Sequence, residues 1–370
     1  MTTFEEMEAA SLPVLRGWLD GKPQHPLRYY FGPPPGLEVH GEFRYEWWRS
    51  PILTTVEEIL TILERAQPPG LPSKRRDFRA LKGMDWSNRD RFSELRTELA
   101  VGAALVESGV GFRFNPPPGP DLLVDDLSGG EVAIEIGSRA PIGFSAFCMD
   151  VVHQLLPLGL DAHIHLMAPV YPPVSIRADV RERIMEKILD LVSSDAPFGA
   201  VNMIAIPERP ELNAPACPIT IQYYRQKPGE GLKVTSQSAA PISGPQLKDT
   251  VNEVARRILR DDRKRRQAGT EVPTVLLAEV SRCDLGIFRS ESPWASIFDE
   301  VWCQDDRFVA VGATLCYQDQ RVPEIGFSVN RFAPTAAVRR VVEALSGCPQ
   351  MSGLADQAER VLKPADSAQQ

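Results

Sequence analysis

The sequence contains no apolar run of about 18 residues, the length that a membrane-spanning helix requires. Its acidic start, MTTFEEMEAA, lacks the basic and apolar regions of a secretion signal. The chain has only six cysteines in 370 residues, and no two of them form a CxxC pair. Scattered cysteines of this kind fit buried free thiols better than disulfides or a zinc site. These absences predict a cytoplasmic protein with no membrane partner.

Three motifs of nucleotide and ester chemistry are also missing. The chain has no GxxxxGK[ST] phosphate loop, no GxGxxG after a strand and no GxSxG turn. Nucleotide hydrolysis and serine-hydrolase chemistry therefore have no support in the sequence. His163 and His165 share one face of a predicted strand, but no third ligand accompanies them. Hydrogen-bonded histidines explain this pair better than a zinc site does.

A basic excess is lacking too, because the formal net charge is -8. Nucleic-acid phosphates would therefore have to be held by local basic clusters. Two such clusters are present: Lys74, Arg75, Arg76, Arg79 and Lys82, and Arg256, Arg257, Arg260, Arg263, Lys264, Arg265 and Arg266. Taken alone, each cluster is explained at least as well by a solvated helix face.

What the chain does contain is an alternation of helix and strand patterns. A helix is predicted at residues 87–109, with Gly109 at its end and an apolar stripe formed by Phe92, Leu95, Leu99, Ala103 and Val106. Strands GFRFN, PDLLVDD and EVAIEIG follow, then a helix GFSAFCMDVVHQLL and a strand DAHIHLMAP. This order of helix, three strands, helix and strand is typical of a compact α/β unit.

The later part of the chain continues the α/β pattern. Helices are predicted at residues 176–193, 246–266 and 335–345, and strands at AVNMIAI, ITIQYYRQ, TVLLAEV, FVAVGATLCY and EIGFSV. TVLLAEV is apolar enough for a central strand that is covered on both faces. We predict an N-terminal accessory arm or cap at residues 1–72, an α/β domain at residues 73–346 and a C-terminal tail at residues 347–370.

Two strands on either side of a Gly-Gly turn each carry an acid where a sheet interior is normally apolar. Asp121 begins the first strand, and Glu135 lies between isoleucines in the second. Pairing across the turn would make the two strands antiparallel and bring the acids together. Close carboxylates repel each other, and a divalent cation relieves that repulsion. Oxygen ligands favour Mg²⁺ or Mn²⁺ over zinc.

The run GPDLLVDD followed by VAIEIG, after a helix that contains ELAVGAALVESG, resembles the PD-(D/E)XK nuclease superfamily. The resemblance covers about residues 87–169 and implies a restriction-endonuclease-like αβββαβ core with a mixed central sheet, which the C-terminal strands would extend. In that family a proline-aspartate and an acid-x-lysine bind one or two metals and hydrolyse phosphodiester bonds. Pro120 and Asp121 match the first motif, and Glu135 matches the acid of the second. Glu98 matches a glutamate that many members carry on the first helix.

One position departs from the family pattern. The residue two places after Glu135 is Gly137, where the family has a lysine that positions the attacking water and neutralises charge at the phosphate. Arg139 lies on the same strand face if the strand extends that far, and it could supply the positive charge. An arginine cannot act as a base at neutral pH, so its role would be electrostatic. His153 and Gln154, on the following helix, are further candidates.

A structural role can also be given to each acid. Asp121 can cap a turn, Glu98 can be a solvated helix residue, and Glu131 can pair with an arginine at the mouth of the hairpin. Glu135, which isoleucines flank, is the hardest to explain in this way.

The resemblance implies a Mg²⁺-dependent nuclease of bacterial defence or DNA processing. Asp121, Glu135 and Glu98 would hold Mg²⁺ or Mn²⁺, and Arg139 would join them as a catalytic residue. DNA is the expected partner, and a homodimer or a protein partner in a multi-component system is compatible with the sequence. The alternative is a catalytically degenerate protein that uses the same fold as a nucleic-acid or protein interaction module. Gly137 and the acidic net charge support that alternative.

Overall fold

The chain is an α/β protein with two mixed β-sheets. The computed structural model describes residues 4–32, 50–83, 86–116, 119–125, 130–137, 144–169, 178–194, 200–208, 210, 216–238, 245, 266, 272–279, 308–315, 324–329 and 336–346. The described α-helices are α1 (Phe4–Ser11), α2 (Pro13–Trp18), α3 (Pro51–Ala66), α4 (Leu71–Arg79), α5 (Trp86–Glu107), α6 (Phe144–Leu155), α7 (Ala178–Ser193) and α8 (Ala336–Ser346). Short 3₁₀ helices lie at Pro26–Tyr30 and Leu156–Leu158.

The described strands are β1 (Phe112–Phe114), β2 (Leu122–Asp125), β3 (Glu131–Gly137), β4 (Ala162–Ala168), β5 (Ala200–Ile206), β6 (Cys217–Arg225), β7 (Leu232–Ser238), β8 (Thr274–Glu279), β9 (Phe308–Leu315) and β10 (Glu324–Val329). The strand patterns found in the sequence correspond to nine of these ten, and β7 was not predicted. Its residues LKVTSQS carry few apolar side chains, which is why periodicity did not reveal it.

Most of the predicted helices are also confirmed within the described residues. The helix predicted at residues 87–109 is α5, and Gly109 follows it with a left-handed φ of 67°. The patterns at residues 176–193 and 335–345 correspond to α7 and α8. The long basic helix predicted at residues 246–266 lies outside the described residues, apart from Arg266.

The first sheet has six strands in the order β1-β2-β3-β8-β9-β10. β1, β2 and β3 are antiparallel neighbours, whereas β3 pairs with β8, and β8 with β9, in parallel. β10 is antiparallel to β9. All six residues of β8 are buried, so the prediction that TVLLAEV is a doubly covered central strand is confirmed.

One face of the first sheet packs against the N-terminal helices. Apolar residues of α2, α3, α4 and α5 form one hydrophobic cluster with residues of β1, β2, β3, β8 and β9 and with α8. The amphipathic spacing of α3, with Ile52, Val56, Ile59 and Leu63 buried, directs this helix into the cluster. Residues on both sides of position 72 therefore share a core. The boundaries that we predicted after residues 72 and 346 stay predictions.

The second sheet has four strands in the order β5-β6-β4-β7. β4 is antiparallel to β6 and parallel to β7, and β5 is antiparallel to β6. α6 and α7 bury their apolar residues against one face of this sheet, in a hydrophobic cluster separate from the first.

The αβββαβ expectation is wrong in one respect, because β4 does not join the sheet of β1, β2 and β3. β8 occupies the parallel position beside β3 instead. The burial patterns explain the difference. β8 is apolar enough to be covered on both faces, whereas β4 alternates between buried and half-buried residues and suits a sheet with one covered face.

Within the described part of the chain, no helix combines the length and the apolar character needed to cross a membrane.

Candidate active site

Asp121 and Glu135 lie on neighbouring antiparallel strands, as the Gly-Gly turn predicted. Leu122 in β2 faces Ile134 in β3, and continuing this register by one residue sets Asp121 opposite Glu135 on the same face of the sheet. The Asp121 side chain also reaches β3, because its Oδ2 accepts a hydrogen bond of 2.8 Å from the backbone N–H of Ile136. Glu135 is completely buried, with 0% of its surface exposed.

A backbone hydrogen bond between the chain after β1 and the chain before β2 helps to hold Asp121 in place. The backbone N–H of Asn115 donates to the carbonyl oxygen of Asp121 at 3.1 Å. Gly119 lies so close to the Asn115 side chain that a Cβ there would be 2.1 Å from its Nδ2. A larger residue at position 119 would therefore require the Asn115 side chain to move.

Glu98 reaches the same region from α5. Only 4% of Glu98 is exposed, and its Oε2 accepts a hydrogen bond from Nζ of Lys74, which is itself 7% exposed. The pKa of the Glu98 carboxyl is raised to about 7, first by burial and then by the negative charge of Asp121, whereas Lys74 acts in the opposite direction. The influence of Asp121 means that these two carboxylates lie close enough to repel each other. The assignment of Glu98 to the Asp121 site stays a prediction.

Lys74 belongs to α4, and a close contact with β1 fixes the position of this helix. Gly70, before α4, has a φ of 86°, and a Cβ there would lie 2.2 Å from the carbonyl oxygen of Phe114. The backbone N–H of Phe114 donates to the carbonyl oxygen of Pro69 at 2.8 Å. Lys74 Nζ lies 6.0 Å from the centre of the Phe114 ring, so β1 also contacts the ammonium group. Only glycine allows this approach, which brings Lys74 to Glu98.

Sequence reasoning missed the role of Lys74, because it placed this residue in a basic cluster. The signal was nevertheless present. Leu71, Lys74 and Phe78 recur at helical spacing and form the buried face of α4, so the lysine lies where an apolar residue is expected. A lone lysine on such a face needs a buried acid as its partner.

The other residues of this basic cluster are mostly engaged within the protein. Arg79 donates to the carbonyl oxygens of Gly17, Trp18 and Asp20 at 2.6 to 3.2 Å. Arg75 pairs with Glu64 at 3.4 Å. These contacts tie α4 to α2 and α3, whereas Arg76 and Lys82 are exposed. The second basic cluster lies outside the described residues, apart from Arg266.

The predicted replacements for the family lysine stay predictions. Arg139 lies outside the described residues. His153 and Gln154 belong to α6, whose apolar residues pack in the cluster of the second sheet. Gly137 itself faces Ala278 of β8 in the strand register.

Glu131 has the structural role that we considered as an alternative. Its Oε1 accepts a hydrogen bond of 2.7 Å from Arg113, which also pairs with Asp125 at 3.1 Å. These groups are exposed at the end of the hairpin, where ion pairs contribute little to stability. Glu131 is thus separate from the buried acids and serves below as a control position.

The donor chemistry of the site fits Mg²⁺ or Mn²⁺. Glu98, Asp121 and Glu135 offer carboxylate oxygens only, and the raised pKa of Glu98 reflects a repulsion that a cation would relieve. As they stand, the described His, Cys, Asp and Glu side chains include no group of three close enough to hold a metal ion. Metal binding is therefore compatible with the residue types, and the assignment of ligands stays a prediction.

Comparisons with known proteins found no match for the chain. No protein-family model matches the chain, and neither do the curated proteins or the solved structures that were searched. The family resemblance thus depends on the residues of the sequence alone.

Proposed function

We propose that the chain is a metal-dependent nuclease-like protein that hydrolyses phosphodiester bonds of DNA. The observation that carries the proposal is the burial of Glu98 beside the buried Lys74, together with the charge of Asp121, which adds to burial in raising the pKa of Glu98. Burying two neighbouring acids costs free energy, so such a pair is more common at functional sites than in ordinary cores. The fully buried Glu135 lies opposite Asp121 when the register of β2 and β3 is continued by one residue, and it is the third acid of the proposed site.

The proposed fold is a restriction-endonuclease-like core in which β8 takes the place of the fourth strand. α5 precedes the antiparallel strands β1, β2 and β3, and β8 pairs in parallel with β3. The second sheet lies between β3 and β8 in the chain and would then be an insertion. The basic helix predicted at residues 246–266 directly precedes β8 in the sequence and would serve as the second helix of the core.

In the proposed mechanism, Asp121, Glu98 and Glu135 hold Mg²⁺ or Mn²⁺. The bound ion would supply a more acidic water and offset the charge of the phosphate. Asp121 is oriented by the N–H of Ile136, which leaves its carboxylate in a defined position. Glu98, with a pKa of about 7, can take up or release a proton near neutral pH.

Lys74 is proposed to replace the family lysine that is missing at Gly137. Its ammonium group lies at the Glu98 carboxylate and is held there by α4. A fixed positive charge in a buried site stabilises the extra negative charge of a phosphodiester transition state. Arg139 remains a second proposed source of positive charge.

The test is a cleavage assay of the purified full chain on plasmid and single-stranded DNA with Mg²⁺ or Mn²⁺. Asp121→Ala and Glu135→Ala should each lower the cleavage rate by at least about 100-fold, because each removes a charge from the buried site. Glu131→Ala, an exposed acid of the same strand as Glu135, should cut at the wild-type rate. Cutting by Asp121→Ala and Glu135→Ala at the wild-type rate would reject the proposal.

The second candidate function is an interaction module for nucleic acid or protein. Gly137 and the net charge of -8 favour it, because a binding module needs neither the lysine nor a metal. A calorimetric titration with Mg²⁺ distinguishes the two. Heat of binding that Asp121→Ala abolishes supports the nuclease, and folded wild-type protein that takes up no Mg²⁺ supports the module.

A further inference from the structure

α6 and α7 cover one face of the second sheet. Within the described residues, no helix covers the opposite face in the same way. Burial alternates along β4 and β6, with the helix-facing residues buried and the opposite ones half-buried or exposed. The opposite face, here called the open face, consists of every second residue from His163 in β4, Val201 in β5, Pro218 in β6 and Lys233 in β7. Met203, on this face, is 69% exposed.

Three rings lie side by side on β4 and β6, the two inner strands of the open face. The ring centres of His163 and Tyr224 are 5.7 Å apart, and those of His163 and His165 are 6.1 Å apart. The hydroxyl of Thr235 bridges His163 Nε2 at 2.8 Å and His165 Nδ1 at 2.7 Å. Tyr224 donates its hydroxyl hydrogen to Gln222 Oε1 at 2.8 Å. These hydrogen bonds hold the rings in fixed orientations, so little side-chain entropy would be lost on binding a ligand.

The open face contains no acidic residue, although the chain as a whole has a net charge of -8. All of its positions are described, and the charged residue among them is Lys233. Burial lowers the pKa of His163, and Lys233 and His165 lower it further. On the other side of the sheet, α7 carries four acids and three bases, so charge of both signs is mixed there. A negatively charged ligand would meet one lysine and no acid on the open face.

We propose that the open face binds single-stranded DNA. Unpaired bases would stack on the rings of Tyr224, His163 and His165, and Lys233 would contact a backbone phosphate. Base stacking on side-chain rings tolerates any base, and it requires bases that are not already stacked in a duplex. The choice of DNA rests on the proposed function, whereas the binding face does not.

A protein partner fits the open face less well. The core of a protein interface is depleted of charged groups and packed with apolar side chains. Here the large exposed apolar residues, Val201 and Met203, lie on the edge strand β5. The inner strands β4 and β6 hold imidazole, phenol, hydroxyl and amide groups beside Met167 and Pro218. Polar groups and rings arranged in this way match the edges and faces of bases.

The experiment measures binding of a fluorescein-labelled oligothymidylate to the full chain by fluorescence anisotropy. EDTA is present, so that metal-dependent cutting plays no part. Tyr224→Ala and Lys233→Ala should each raise Kd at least about fivefold, since stacking and phosphate contacts each contribute at about this level. Tyr224→Phe keeps the ring and should bind within about twofold of wild type.

Matched controls come from the helical side of the same sheet. Lys187→Ala removes an exposed lysine of α7, and Leu189→Ala removes an apolar side chain of α7 that is 39% exposed. Both should leave Kd unchanged. Met203→Glu is a further test variant, because this side chain is too exposed for the change to unfold the protein. It puts an acid on the open face and should weaken binding at least about fivefold.

Several results would overturn the inference. The first is the absence of oligothymidylate binding by the folded wild-type chain. The second is an equal Kd for wild type, Lys233→Ala and Met203→Glu. The third is tighter binding of a duplex or of oligouridylate RNA than of oligothymidylate. A change of oligomeric state in Met203→Glu without DNA binding by wild type would assign the face to a second copy of the chain instead.

The inference and the proposed function fail in different ways. DNA binding through the open face with no cleavage by any preparation would reject the nuclease and leave the binding face intact. If wild type cleaves DNA, and the open-face variants bind and cleave it as well as wild type does, the binding face is rejected and the nuclease is left intact.

Discussion

At the scale of single residues, the buried pair of Lys74 and Glu98 is the most informative feature of the chain. Both side chains are almost fully buried, so each depends on the other for compensation of its charge. The pKa of Glu98 is raised because burial and Asp121 oppose its ionisation, while Lys74 favours it. Removing Lys74 would therefore leave an acid that ionises with still more difficulty.

Lys74→Met tests this pair. The variant should lose about 3 to 5 kcal/mol of unfolding free energy at pH 8, because it leaves a buried carboxylate without its cation. The loss should be smaller at pH 6. Glu98 has a raised pKa in the folded state, so its contribution to stability falls as pH rises through that pKa. Without Lys74 the upward shift of the Glu98 pKa is larger, so the loss of stability at high pH is larger too. Urea unfolding followed by circular dichroism measures both values.

Arg76→Met is the matched control for Lys74→Met, because Arg76 lies on the exposed side of the same helix and contacts Ser73. It should change stability by less than about 0.5 kcal/mol at either pH. A Lys74→Met variant as stable as this control would show that the pair is solvated rather than buried.

At the scale of elements, His25 connects the 3₁₀ helix at Pro26–Tyr30 to α4. Its Nε2 lies 3.0 Å from the carbonyl oxygen of Phe78, and its Nδ1 accepts a hydrogen bond from the N–H of Leu27 at 3.2 Å. The neutral imidazole satisfies both contacts, with Nε2 as the donor. Protonation of Nδ1 would remove the acceptor for Leu27. Burial lowers the pKa of His25 to about 4, in agreement with this arrangement.

The lowered pKa of His25 predicts a loss of stability in acid. A folded-state pKa below the unfolded value means that stability is lost as pH falls from 6.5 towards 4. The full effect is about 3 kcal/mol, at about 1.4 kcal/mol for each pKa unit. His25→Asn keeps an acceptor for Leu27 and does not titrate. The stability difference between wild type and His25→Asn should therefore shrink between pH 7 and pH 4.5 in urea unfolding, and parallel pH profiles would contradict the prediction.

Sequence periodicity identified most elements because it reports local burial. α5 and β8 each bury the residues that their patterns marked as apolar. The choice of strand neighbours was less accessible. β4 and β8 both read as strands, and which of them lies beside β3 depends on hydrogen bonds between segments more than 130 residues apart in the chain. Local patterns contain little information about such pairings.

At the scale of the whole molecule, metal binding should be visible as stability. A ligand that binds the folded chain at about 100 times its Kd adds about 2.7 kcal/mol to the unfolding free energy. Mg²⁺ or Mn²⁺ should therefore raise the melting temperature of wild type and of Glu131→Ala at constant ionic strength. Asp121→Ala should show a much smaller rise in differential scanning fluorimetry. An equal rise in all three proteins would place the ions away from the buried acids.

The two sheets divide the proposed tasks of the molecule. The first sheet, with α4 and α5, carries the residues of the proposed metal site, Lys74, Glu98, Asp121 and Glu135, and the second presents the open face around Tyr224. Each sheet has its own hydrophobic cluster, so surface changes on one need not disturb the other. This separation is what allows cutting and binding to be tested with independent variants.

The sequence by itself determined the α/β class, the hairpin of β2 and β3 and the shared face of Asp121 and Glu135, because strand alternation and the Gly-Gly turn act between near neighbours in the chain. Only the tertiary structure decided that Lys74 meets Glu98 and that β8, rather than β4, lies beside β3. Those contacts arise where distant segments pack together, and packing depends on the shape and charge of both partners at once. A local pattern records just one of them.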